Sequence, residues 1–208
     1  MPHRRRSDLI WVFVGAGVMV LSLGLLPYDR AWSDAIAQLA PGQSVPQRIL
    51  RLPYFFFARW GFAIVPLVLL AYRNRLRLLI GFGATMAAGA TIHLLKFLVG
   101  RERPDLGHGP FAFHPFGDPR LQYDSFPSAH AAFAVMLAAL LGVYYPRWRA
   151  VLIPLAAMVC VARVAQERHY VSDAVAGVGF GLAIVYLVMY LLGRQHFDRL
   201  TDANRSPG

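Results

Sequence analysis

The sequence predicts an all-α integral membrane protein: a bundle of six transmembrane helices, with a further helix lying in the interface within the first outer loop. Hydrophobic residues make up 57% of the 208-residue chain and mean hydropathy is +0.45, more apolar surface than a soluble single-domain core hides. Apolar runs recur at 9–27, 54–72, 76–99, 128–145, 149–165 and 171–193, each near the roughly 20 residues a helix needs to cross a bilayer. Arginines gather at alternate ends of those runs.

The first run follows RRRSD. It is longer than a signal-peptide core and lacks a small-residue cleavage site after it, so it reads as a retained anchor helix. In AWSDAIAQLA, Trp32, Ala35, Ile36 and Leu39 share one helical face, with Asp34 and Gln38 opposite, the pattern of an interfacial helix. PGQSVP then breaks the chain before the second run. Arg59, a few residues into that run, reads as a cation snorkelling to the outer interface.

The third run carries His93 and Lys96 one turn apart, and Lys96 is the single lysine among 21 Lys and Arg residues. From position alone Lys96 fits a snorkelling cation as well as a ligand, and His93 reads as a packing histidine. The long loop from Gly100 is rich in Gly, Pro and aromatics, a composition typical of functional loops. Its Phe111, Phe113, Phe116 and Tyr123 suit an aromatic belt. His108 and His114 have no partner at a metal-binding spacing and read as solvated. The fourth run opens at PSAH, where Pro127 and Ser128 start a helix whose N-terminus suits an anion, with His130 beside it.

The net charge of +10 would point to nucleic acid in a soluble chain, but here the positive-inside rule accounts for it and no nucleic-acid partner is expected. Arg4, Arg5 and Arg6, then Arg73, Arg75 and Arg77, then Arg147 and Arg149, then Arg194, Arg199 and Arg205 all fall on one side of a six-span path. That side is the cytoplasm, with both termini inside, and residues 1–208 form one domain. The single cysteine, Cys160, lies in an apolar run, so an intrachain disulfide is impossible.

This topology brings the ends of several runs to the opposite, outer face: Lys96, Ser128, His130, Arg163, His169 and Asp173. Intramembrane ionisable groups are functional by default. His169 and Asp173 are four apart, so on a helix the carboxylate is placed to accept an imidazole N–H and orient a nucleophile. Lys96, Arg103 and Arg163 with a helix terminus form a constellation for an anion with several oxygens, phosphate above all. Only one carboxylate lies among these motifs, so no metal or other cofactor is expected.

At these residues the chain resembles the type-2 phosphatidic acid phosphatase superfamily, whose signature is Lys-x6-Arg-Pro, Pro-Ser-Gly-His and Ser-Arg-x5-His-x3-Asp. The chain reads KFLVGRERP, PSAH and ARVAQERHYVSD, with Ala129 for the usual glycine and Ala162 for the usual serine. The resemblance implies phosphate binding by Lys96, Arg103, Ser128, Ala129 and Arg163, nucleophilic attack by His169 oriented by Asp173, and leaving-group protonation by His130. It also implies a bacterial plasma-membrane phosphatase for a lipid phosphomonoester or pyrophosphate. Undecaprenyl pyrophosphate, phosphatidylglycerol phosphate, phosphatidic acid and lipid A phosphate all stay open as substrates. A noncatalytic lipid-phosphate binder or transporter is the alternative. A vanadium haloperoxidase of the wider superfamily would be soluble and larger.

Overall fold

The protein is described by a computed structural model covering residues 2–39, 48–49, 52, 60–72, 75–117, 122–193 and 196–197. Its helices are α1 (Pro2–Leu21), α2 (Asp29–Leu39), α3 (Gly61–Leu69), α4 (Arg75–Gly89), α5 (Ile92–Val99), α6 (Ala129–Tyr144), α7 (Arg149–Ala165) and α8 (Val171–Leu192). Among the described residues the nearest approach to a sheet is one isolated antiparallel bridge between Arg101 and Phe113.

Four stretches are long and apolar enough to cross a membrane: Arg6–Leu39, Arg75–Val99, Pro146–Ala165 and Val171–Leu192. The chain is a multi-pass membrane protein. The expected fourth span is the 16-residue apolar α6, shorter than those four. The expected second span appears as the nine residues of α3, and its first part, with Arg59, lies outside the described residues. Helix α2 does not stand apart from the first span; a 3₁₀ turn, Ser22–Tyr28, joins the two without a loop. The third span is interrupted at Ala90–Thr91, where the Thr91 hydroxyl turns back to the Ala88 carbonyl at 2.6 Å and competes with the helical ladder.

Helix α8 is central, touching α1, α4, α6 and α7. Lipid is as apolar as leucine, so helices in it associate through close packing rather than the hydrophobic effect. Small residues on α8 provide that closeness on two faces. A methyl added at Gly177 or Gly181 would strike the Ser128 or Ala132 carbonyl of α6, and one at Gly179 would strike the backbone of α1 at Gly15 and Met19. Between the helices, Leu78, Phe82, Met136, Leu137, Leu140, Val159, Val185 and Met189 form the buried core. Phe13, Leu21, Leu67, Ile153 and Leu191 are exposed, as lipid-facing positions would be. His93, expected to pack, is exposed instead, while Ile92 and Lys96 on the same helix are buried.

Candidate active site

The Gly177 contact sets the register of the site. With no side chain in the way, the start of α6 lies against the start of α8, and the Ser128 N–H donates to the Asp173 carbonyl at 2.9 Å. Ser128 caps α6, its hydroxyl accepting from the Ala131 N–H at 3.4 Å, and Ala129 follows buried. His130 sits in the first turn of α6, its ring centroid 6.5 Å from that of His169. All three cations of the motifs, Arg163, Lys96 and Arg103, act electrostatically on His130.

Lys96 occupies the last turn of α5 and is buried. Gly100 then ends the helix in the left-handed region at φ 58°, where a Cβ would run into the His114 backbone. The chain returns alongside, the His114 N–H donating to the Gly100 carbonyl at 2.7 Å. Beyond this turn, Arg103 makes a two-pronged contact with Asp124 at 2.9 and 3.0 Å. The Lys96 ammonium donates to the Asp124 carbonyl and lies 3.8 Å from its carboxylate. Burial raises the Asp124 pKa, but the Arg103 hydrogen bonds and the Lys96 charge outweigh it and hold the group below the usual carboxylate range. Arg163, buried in the last turn of α7, donates to Gln166 at 3.0 Å.

The four-residue spacing does bring His169 and Asp173 together, but not through the expected bond. The Asp173 carboxylate is 3.8 Å from His169 Nδ1, and Nδ1 meets the Ser125 carbonyl at 2.9 Å. A carbonyl only accepts, so Nδ1 carries the proton and Nε2 keeps the lone pair. Asp173 is instead saturated by Ser125 Oγ at 2.5 Å, the Tyr170 N–H at 2.8 Å and Arg101 Nη1 at 2.5 Å. Burial is the main influence on His169, and with Lys96 and Arg163 it outweighs the pull of Asp173, holding the imidazole down to about 4.

Ser125, Asp124, Arg101 and Asp29 all escape sequence reading. The first two lie in the DSFPSAH segment next to a motif; the last two had no signal beyond their charge. His108 and His114 do have a partner: both meet the buried Glu102 carboxylate at 2.7 Å, and His114 stacks on Tyr123. Phe111 and Phe116 are well exposed and Phe113 less so.

The ends of α5 and α7 and the starts of α6 and α8 thus bring three cations, a helix N-terminus and two histidines into one electrostatic cluster. Residues 77–197 match the sequence profile of the PAP2 superfamily. The chain belongs to that superfamily. Among PAP2 proteins it is similar to a lipid A 1-phosphatase of Rhizobium etli, 36% identical over 113 residues, which are 50% of this chain and 48% of that one. The chain thus spans about half the length of the Rhizobium relatives it matches. A probable diacylglycerol pyrophosphate phosphatase of Schizosaccharomyces pombe is 28% identical across 94% of this chain and 82% of its own. In fold the chain is similar to the crystal structure of a transmembrane PAP2-type phosphatidylglycerolphosphate phosphatase from Bacillus subtilis. The TM-score is 0.57, with 20% identity, 85% of this chain and 94% of that chain covered.

Proposed function

We propose that the chain is a single-domain, six-span phosphatase that hydrolyses a lipid phosphomonoester or lipid pyrophosphate at the outer face of a bacterial plasma membrane. The observation that carries this reading is the His169 tautomer: with Nδ1 donating to the Ser125 carbonyl, Nε2 keeps its lone pair, under the electrostatic influence of Lys96 and Arg163.

Lys96, Arg103, Arg163 and the α6 terminus at Ser128 and Ala129 hold the phosphoryl oxygens and stabilise transition-state charge. His169 Nε2 attacks phosphorus as the ester P–O bond breaks, and His130 gives its proton to the departing oxygen. Water, deprotonated by His130, then attacks the phosphohistidine; the P–N bond breaks and inorganic phosphate leaves. Asp173 acts on His169 through Ser125 rather than by direct hydrogen bond. Among the described residues no three His, Cys, Asp or Glu side chains are grouped to hold a metal ion. A noncatalytic binder would need only the cations, not a histidine with a fixed tautomer facing a second histidine.

Names of the relatives suggest lipid A phosphate, diacylglycerol pyrophosphate and phosphatidylglycerol phosphate as the substrates to assay first, beside undecaprenyl pyrophosphate and phosphatidic acid. The test is phosphate release by purified protein, with ³²P trapped by alkaline quench. His169→Ala abolishes both turnover and the adduct. His130→Ala cripples hydrolysis of an alkyl phosphate by roughly 10² to 10⁴ and spares an aryl phosphate, whose anion leaves unaided. Equal losses on both substrates, or an adduct surviving in His169→Ala, would overturn the assignment. For the side of the membrane, a cysteine replacing the exposed Phe111 is labelled from outside only.

A further inference from the structure

We infer that Arg101 and Asp29 form a positioning relay behind Asp173 that couples helix α2, which continues the first span, to the nucleophile; this rests on the reading of His169 as that nucleophile. Arg101 is completely buried, and so is Asp29. Every part of the guanidinium is engaged. Nη1 donates to Asp173 Oδ1 at 2.5 Å and Ser172 Oγ at 2.7 Å; Nη2 donates to Asp29 Oδ2 at 2.8 Å and the Pro110 carbonyl at 2.7 Å; Nε donates to the same carbonyl at 3.0 Å. Its Cζ lies 4.3 Å from the Tyr170 ring centroid.

The bonds close into a ring. The Arg101 side chain holds Asp173, Asp173 accepts from Ser125 Oγ, and the Ser125 N–H returns to the Arg101 carbonyl at 2.9 Å. Ser125 is also the residue whose carbonyl fixes the His169 proton. Asp29 anchors the far side, accepting the Ser172 N–H in the first turn of α8 at 2.8 Å as well as the Ser172 hydroxyl. A shift of α2 is therefore passed through Asp29, Arg101 and Asp173 to the carbonyl that sets the tautomer. An apolar side chain of similar size would be cheaper to bury than this ion cluster, so packing alone does not explain it. Arg101 and Asp29 are sealed in this cluster, whereas Lys96 and Arg103 gather on Asp124.

The experiment compares Arg101→Met, Asp29→Asn and the double variant with the unsubstituted protein. It reads kcat, KM, melting temperature, and the ¹⁵N spectrum of His169 assigned against His169→Gln. Arg101→Met lowers kcat by about 10²-fold, the scale of a 1 Å misplacement, leaves KM within about twofold, and gives His169 a mixed tautomer. Removing both members of the Asp29–Arg101 pair restores melting temperature toward the starting value but not kcat, a separation that a purely structural role would not produce. If Arg101→Met does not fold, Asp29→Asn still reads the relay, with lowered kcat at unchanged KM. An unchanged His169 spectrum, or kcat recovering along with stability in the double variant, overturns the relay. Absence of turnover in the unsubstituted protein overturns the phosphatase reading alone, and the His169 spectrum then decides the relay.

Discussion

Replacing Asp124 by Asn tests whether this carboxylate occupies the seat of the substrate's phosphate. Asp124 engages Arg103 at 2.9 and 3.0 Å and lies 3.8 Å from the Lys96 ammonium, so an arriving phosphoryl group competes with it for the same donors. The Arg103 and Asp124 side chains are only 20% and 24% exposed, so water screens the pair in part. A bond between charged groups exceeds its neutral counterpart by about 0.5–1 kcal/mol. An amide has one acceptor oxygen and keeps at most one of the two Arg103 bonds, in neutral form, so the pair weakens by at least about 1–2 kcal/mol, or roughly 5- to 30-fold in phosphate affinity. Because Arg103 and Lys96 keep Asp124 ionised well below neutrality, the gain is constant at working pH. The assay is KM for a lipid phosphate and the inhibition constant of orthovanadate, both of which fall in the variant. A KM that rises would refute the reasoning and make Asp124 a support for Arg103 rather than its temporary ligand.

His169, held down to about 4, stays neutral far into acid, so the acid limb of kcat/KM, corrected for substrate ionisation, falls near pH 4 rather than the 6.5 of a free imidazole. The unfolded chain takes up this proton first, so the contribution to stability is complete above about pH 6.5 and is lost as pH falls toward 4, which melting curves would show. Gly177→Ala forces a methyl against the Ser128 carbonyl and costs about 1–3 kcal/mol, while Gly17→Ala, with open space around it, leaves the melting temperature unchanged or higher. Activity persists in EDTA and is blocked by vanadate; loss on chelation, restored by magnesium or zinc, would sink the histidine mechanism.

The sequence was most informative where chemistry follows helix geometry. Arg163 at the end of one apolar run and His169 with Asp173 at the start of the next are local features, and they fall where periodicity and spacing place them. Spacing reports proximity, however, not which acceptor wins. The carboxylate four residues from His169 is claimed by Ser125, Tyr170 and Arg101, so the imidazole takes a carbonyl from a segment 44 residues away. Arg101 and Arg103 are indistinguishable as letters two apart, yet one is sealed between Asp29 and Asp173 and the other, partly exposed, pairs with Asp124. That difference depends on Gly100 turning the chain and on a residue 72 positions upstream, neither visible in a local pattern. His108 and His114 were legible as loop residues, but a shared carboxylate between them is a tertiary fact.

The backbone-to-backbone seating of α8 has a consequence for how such a protein can be re-engineered. At Gly177, Gly179 and Gly181 the nearest atom an added methyl would meet is main chain, so shortening a neighbouring side chain cannot make room for it. A library randomised along this helix would return glycine at those positions and little else. Variation belongs instead on exposed side chains of the loop between α5 and α6, such as His108 and Phe111; Gly107 and Gly109 have open space around them but positive φ, which a side chain would strain.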